Sequence, residues 1–215
     1  MRVGTYGEGG QTMGVKERRD RERVEMRHDI LAAAREIAAR EGWQAVTIRR
    51  VAEKIEYSPP TIYEYFESKE AIIEGEMHEA FQLLLGDLRA ARDAHTVPAE
   101  QYMAMGDAFW NFVWEHPEMY QVISGLGGVG FCDPDNPEHE GKQVAALFQE
   151  VLQSMLPPAQ CTPESLEGKT LTLWSLAHGF IALMMAGHFP VTERDNARAL
   201  MGQGMADLLR AWQTA

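Results

Sequence analysis

Residues 47–69 read Thr-Ile-Arg-Arg-Val-Ala-Glu-Lys-Ile-Glu-Tyr-Ser-Pro-Pro-Thr-Ile-Tyr-Glu-Tyr-Phe-Glu-Ser-Lys. Ile48, Val51, Ala52 and Ile55 fall at i, i+3, i+4 and i+7, one apolar stripe, and Thr47 just ahead of it supplies an oxygen-bearing N-cap. A helix is therefore predicted from Thr47 to about Ile55. Ser58 offers a second N-cap, and Pro59 takes the first helical position, where its missing N–H costs nothing. Ile62 and Phe66 repeat at i+4 as the buried side of the next helix. Glu56 and Tyr57 are left as connector, and Ser68 caps a third helix start. Two short helices on a tight turn, followed at once by a third, are the layout of a helix-turn-helix.

This segment resembles the DNA-binding domain of the tetracycline-repressor (TetR) family of transcription factors. The family pattern is Thr, an amphipathic helix, a short turn, Ser-x-x-Thr-aliphatic-Tyr-x-Tyr/His-Phe, then x-Ser-Lys-Glu. Here it reads Thr47, then Ser58-Pro59-Pro60-Thr61-Ile62-Tyr63-Glu64-Tyr65-Phe66, then Ser68-Lys69-Glu70. The upstream helix, Ile30 through Ala38 with Gly42 and Trp43 behind it, also fits, so the match runs from Arg27 to Ile73. The resemblance implies that double-stranded DNA is the partner. Thr47, Tyr63 and Lys69 then hold the phosphate backbone, with Arg49, Tyr57, Ser58, Pro59, Pro60, Thr61 and Tyr65 completing the contact surface.

Two positions depart from the pattern. Glu56 stands where the family usually has Gly or another small residue, because the chain there tends toward a left-handed conformation that costs other residues energy. Pro59 and Pro60 occupy positions from which relatives often present Lys, Arg or Gly to base edges. Prolines donate no hydrogen bond, so readout from them is limited to apolar contact, for example with a thymine methyl. Discrimination is expected mainly from Thr61, Tyr57 or Tyr65 and from DNA shape.

Charge is divided unevenly. Residues 1–70 hold 13 Lys+Arg against 13 Asp+Glu, whereas residues 71–215 hold 7 against 19, which accounts for the whole net charge of −12. An acidic protein can still read DNA if its contact face is locally neutral or basic, since screening over about 8–10 Å hides distant carboxylates. The stretch 16–27 carries six basic residues beside four acidic ones, and Arg49, Arg50 and Lys69 add to the supply. That stretch reads either as a solvated helix extension or as an arm reaching DNA.

Caps and breakers divide the rest into helices, and no alternating run suggests a strand. The predicted fold is all-α: an amino-terminal three-helix helix-turn-helix domain over 23–70, and a larger helical ligand-binding and dimerisation domain over 71–215. Residues 1–22 are disordered or a helical extension. The five glycines among residues 1–15 point to disorder there, and Met13 is a possible natural start. A first helix is expected from Lys16 or Met26 to Glu41. Ser68 caps a long helix to about Asp93, with Ile73, Met77, Ala80, Phe81, Leu84, Leu85 and Leu88 on one face. Further helices are expected over Pro98–Glu115, Glu118–Leu126, Glu138–Met155, Thr162–Gly187 and Thr192–Trp212, the last opened by a capping box. A Gly- and Pro-rich loop lies before Glu138.

The helix from Thr162 carries Leu171, Trp174, His178, Ile181 and Met185 on one stripe and Leu173, Ala177, Phe180 and Met184 on another, so a single partner layer cannot cover it. The last helix supplies Ala197, Leu200, Met201, Gly204, Leu208 and Trp212. In the family, the last two helices pair with those of a second subunit, so a homodimer is implied, with Leu200, Met201, Gly204, Leu208 and Trp212 at its interface. A self-contained monomeric core is the other reading. Trp174-Ser-Leu-Ala-His178-Gly179 and His116-Pro117-Glu118-Met119-Tyr120 are similar to one subgroup of TetR-like carboxy-terminal domains. His178 can face a pocket or satisfy itself in the core. The family implies a pocket for an unidentified, largely apolar small-molecule effector, for which Met105, Phe109, Trp110, Phe112, Tyr120, Trp174 and His178 are candidates. Core packing is the plainer reading of such stripes, although thioethers repack around varied shapes.

Nothing points to catalysis. There is no Gly-rich phosphate loop after a strand, no Gly-x-Ser-x-Gly and no His-Glu-x-x-His, and the seven His are dispersed. Cys132 and Cys161 lack metal-ligand spacing and read as reduced structural thiols. No cofactor and no metal are expected. The chain lacks a membrane-spanning run and a signal-peptide pattern, so a cytoplasmic location follows. The other functional reading is an interaction module that keeps the helix-turn-helix as scaffold.

Overall fold

A computed structural model describes residues 10–126, 140–190 and 193–214. These contain nine α-helices and no strand: α1 Gly10–Glu41, α2 Ile48–Lys54, α3 Pro59–Tyr63, α4 Lys69–Asp93, α5 Pro98–Glu115, α6 Pro117–Ile123, α7 Glu140–Met155, α8 Pro163–Met185 and α9 Arg194–Thr214. α1 begins at Gly10, so over residues 10–15 the backbone takes the helical-extension alternative and not the disordered one; residues 1–9 lie outside the described residues, as do Cys132, the Gly- and Pro-rich loop and the Thr192 cap. The chain divides into two compact units, residues 1–79 with 118–131 and residues 80–117 with 132–215. α4 is continuous across that division, which falls nine residues beyond the boundary read from the motif.

In the first unit, α1 buries Ile30, Leu31, Ala33, Ala34, Ile37 and Ala38, and Val51, Ala52, Ile62, Phe66 and Ile72 complete the core from α2 to α4. The start of α4 buries Ile72 where Ile73 was expected; Ile73 is half-buried. Gly75 shows how closely the elements meet: a Cβ there would stand 3.0 Å from Phe66 and 3.1 Å from Leu31. Trp43, 1 % exposed, follows Gly42, whose φ of 81° stops α1 in a conformation open to glycine. Its indole N–H donates to the Glu118 carbonyl (3.0 Å), fixing the start of α6.

A polar cluster lies inside this unit. The Arg35 guanidinium grips Glu76 with two bonds, 3.0 and 3.1 Å, and Glu79 with a third at 2.7 Å. Glu76 is wholly buried, and burial pushes its carboxyl up against the opposing pull of Arg35. Removing such a charge from water costs several kcal/mol unless geometry compensates, and here it is bidentate.

The second unit is a helical bundle in which α5 packs on α7 and α9, and α8 packs between α7 and α9. Thr162 caps α8, accepting from the Ser165 N–H, and Pro163 stands at its first position. α8 buries Leu166, Thr170, Leu173, Ala177, Ile181 and Met184. α9 buries Ala197, Met201, Met205 and Leu209, an i+4 row, and Arg198 ties it to Asp107 of α5 at 2.7 Å.

Candidate nucleic-acid interface

α2 runs from Ile48 to Lys54, with the Thr47 hydroxyl accepting from the Arg50 N–H at 3.2 Å. Glu56, φ 61°, then carries the turn in the left-handed region, and the Tyr57 N–H returns to the Ala52 carbonyl at 2.9 Å. α3 is one short helix, Pro59–Tyr63. Ser58 stands in the N-cap position with extended backbone, but its hydroxyl makes no cap bond. Pro60 at the second helical position has no N–H, and the Thr61 N–H is taken by the Ser58 carbonyl at 3.0 Å. The Ser58 hydroxyl therefore meets that of Thr61, also 3.0 Å apart. The expected side-chain cap is corrected for that reason.

Ile62 is fully buried and anchors α3 from behind. Tyr57, Ser58, Pro59, Pro60 and Tyr63 are exposed in front of it, Thr61 is half-buried beside them, and Thr47 and Arg49 are exposed on α2. This surface offers three kinds of group: hydroxyls from Tyr57, Ser58, Thr61 and Tyr63, apolar rings from Pro59 and Pro60, and one guanidinium. Arg49 already holds Glu53 at 2.8 Å, so it has an acid to shed before it meets a phosphate. Arg50 is spent on Glu41 and on the Ala45 carbonyl at 3.1 Å.

Two candidates are placed differently from the rest. The Lys69 ammonium donates to the Trp43 carbonyl at 2.9 Å and more weakly to that of Gln44 at 3.4 Å, so it secures the turn after α1 with two of its three N–H groups. Tyr65 is half-buried past the end of α3. Its carbonyl accepts from Arg27 at 2.7 Å, and Arg23 lies over its ring at 5.6 Å. Arg27 also lies over Phe66, 4.1 Å from the ring centre. The sequence carries no signal for these pairings, which join residues from 25 to about 40 positions apart.

The pocket candidates divide between the units. Tyr120, fully buried, belongs with the first; the other six belong to the second. Met105, Phe109, Trp110 and Phe112 are all buried on α5. His178 links Phe109, 5.7 Å away, to Trp174, 4.6 Å away and edge-on, while Phe112 lies against His116 at 5.5 Å. Burial holds the His178 imidazole down to about 4, so it is neutral near pH 7. Trp174 is 46 % exposed within the protomer, which places it on the outer side of α8.

The interface candidates also sort by row. Met201 is 3 % exposed within the protomer's own core, because the core row of α9 is 197, 201, 205, 209. Leu200, Gly204, Leu208 and Trp212 form the neighbouring i+4 row. Leu200 is 54 % exposed, and the other three are half-buried. The close neighbour of Gly204 is Leu176 of the same chain, 3.2 Å from a Cβ built there, so its small size serves packing of α9 on α8. Together with Leu171, 54 % exposed, Trp174 and Leu200 leave large apolar side chains outward on the last two helices.

Among the described residues no helix is long and apolar enough to cross a membrane, and no group of His, Cys, Asp and Glu is placed to hold a metal.

A short helix presented on a buried scaffold, behind the four residues 55–58 that separate it from α2, defines a helix-turn-helix protein of the DNA-binding class. Residues 30–75 match the profile of bacterial regulatory proteins of the tetR family, and residues 102–208 match the tetracyclin repressor-like C-terminal domain. The chain belongs to the TetR family. It is 28 % identical over 172 residues to an uncharacterized HTH-type transcriptional regulator of Mycobacterium tuberculosis, an alignment covering 75 % of this chain and 71 % of that one. A protein of the same description from Haemophilus influenzae is 27 % identical over 104 residues, 48 % of this chain but only about half, 54 %, of its own length. The backbone also matches a TetR-family transcriptional regulator from Bordetella parapertussis with a TM-score of 0.64 at 17 % identity, over 85 % of this chain and 94 % of that one. At that identity the likeness is one of fold.

Proposed function

We propose that this chain is a homodimeric, ligand-responsive repressor that acts in the cytoplasm on a two-fold related DNA operator. The observation that carries the reading is the exposed front of α3, with Tyr57, Ser58, Pro59, Pro60, Thr61 and Tyr63 outward and Ile62 locked behind. Such a face suits a major groove, with two half-sites about one helical turn apart when two protomers are related by a two-fold axis. Thr47, Arg49, Tyr63 and the remaining N–H of Lys69 hold phosphates. Base discrimination comes from hydroxyls, from proline and threonine methylene and methyl contacts, and from DNA shape.

The second protomer covers Leu171, Trp174 and Leu200, since side chains this apolar and this exposed gain from burial. A largely apolar effector lodges against the α5 and α8 aromatics around Phe109 and His178. Because α4 belongs to both units, an effector that binds better to a displaced α4 weakens DNA binding by the same differential affinity.

The test is titration of the purified protein with a duplex selected from a randomised library, at several salt concentrations. A steep fall of affinity with salt and a clear preference over scrambled duplex are expected. A protein that binds every duplex equally weakly is instead an interaction module on a helix-turn-helix scaffold.

A further inference from the structure

α1 continues well before the helix-turn-helix begins, and its charges are sorted by face. Lys16, Arg19, Arg23 and Arg27 fall at i, i+3, i+7 and i+11, so they line one side of the helix over about 16 Å. The side they line is fixed by its inner end: Arg27 bonds the Tyr65 carbonyl and covers Phe66, and Arg23 lies over Tyr65, so the stripe starts at the end of α3. Lys16, Arg19 and Arg23 are exposed, and among the described residues neither Lys16 nor Arg19 has an ion-pair partner. Apart from Asp20, one turn from both Lys16 and Arg23 at the edge of this face, the other charges of the stretch lie elsewhere around the helix or are occupied. Arg18 pairs with Glu22 at 3.5 Å, and Arg21 leans on the Glu17 carbonyl at 3.4 Å.

From this we infer that the first turns of α1 are a second DNA-binding element, in which Lys16, Arg19 and Arg23 contact phosphates beyond those reached by the helix-turn-helix. The inference rests on the DNA-binding reading above. An acidic chain gains from such an element, because a row of cations that abuts the end of its recognition helix offsets the distant carboxylates locally. Long cationic side chains in a row along a helix flank suit the regularly spaced phosphates of a backbone, so the stripe raises affinity for all sequences alike and leaves preference to α3.

Lys16→Ala/Arg19→Ala tests this, since alanine keeps the helix and removes two charges per protomer. On a duplex selected for the wild-type protein, a dimer then loses four phosphate contacts. The slope of log affinity against log salt falls by about 3 to 4, and the variant's disadvantage shrinks about 100-fold between 50 and 200 mM salt. Base preference stays as in the wild type, and hydroxyl-radical protection is lost only at phosphates outside the helix-turn-helix footprint. Arg18→Ala/Arg21→Ala removes as much charge from other faces of the same helix and leaves slope and footprint unchanged. An unchanged slope for Lys16→Ala/Arg19→Ala, or an equal loss in Arg18→Ala/Arg21→Ala, overturns the inference while DNA binding stands. A wild-type protein that binds no duplex overturns both.

Discussion

Replacing Arg35 by Met isolates a charge that the fold has taken wholly out of water. Glu76 is 0 % exposed, and Arg35 supplies both bonds to its carboxylate, at 3.0 and 3.1 Å. Removing one partner of a buried pair costs about 3–5 kcal/mol, because the survivor keeps its desolvation penalty without compensation. The carboxyl can escape by taking a proton, and burial already raises its pKa above the usual carboxylate range, to about 7. In the variant the pKa rises further. A folded-state pKa above the unfolded one gives stability that is present at low pH and lost as pH rises through the folded pKa. The variant therefore suffers most above pH 7. Each pH unit between the two folded pKa values is worth about 1.4 kcal/mol, so the loss near pH 6.5 should be about 2 kcal/mol smaller than near pH 8.5. Urea denaturation at both pH values and one fixed protein concentration measures this. Arg35→Met/Glu76→Leu removes both charges and should recover to within about 1 kcal/mol of the wild type. A loss below about 1 kcal/mol at high pH, or one independent of pH, would show that Glu76 carries no buried charge for Arg35 to compensate.

Leu200→Glu, at a position 54 % exposed in the protomer, should give a folded monomer by sedimentation that no longer grips a two-site operator. A dimer of wild-type tightness would remove α9 from the interface. Glu56→Gly relieves a φ of 61° and should stabilise the first unit by up to about 1 kcal/mol in thermal denaturation; a loss of stability would show that the Glu56 side chain contributes more than its strain costs. His178 is held at about 4, below its unfolded value near 6.5, so the unfolded chain takes its proton first and stability is lost as pH falls through that window. The loss amounts to roughly 3 kcal/mol, and His178→Phe should abolish this limb in the difference between the two proteins, whereas parallel pH profiles would mean that His178 stays hydrated.

Helix positions were legible because caps and breakers act locally. Thr47 and Thr162 cap as their sequence suggests, and the left-handed turn at Glu56 was anticipated from the family's small residue there. Helical rotation was less legible. A stripe several residues wide fits two neighbouring rows, and only tertiary packing decides that Met201 and Leu209 face inward while Leu200 and Leu208 do not. The same ambiguity exchanged Ile72 for Ile73. The DNA-facing set at α3 follows from local order, yet the polar ties that support it were invisible. Arg35 with Glu76, Lys69 with the Trp43 carbonyl and Arg27 with that of Tyr65 span from 26 to 41 positions, and no periodicity encodes a partner that far away.

If two protomers present two α3 surfaces to one duplex, the DNA fragments retained by the purified protein carry the imprint of both, and sequencing reads it. The expected result is a two-fold symmetric motif whose half-sites lie about 10–10.5 base pairs apart, or a multiple of that, centre to centre. A single asymmetric element, or retention without any shared motif, would contradict it.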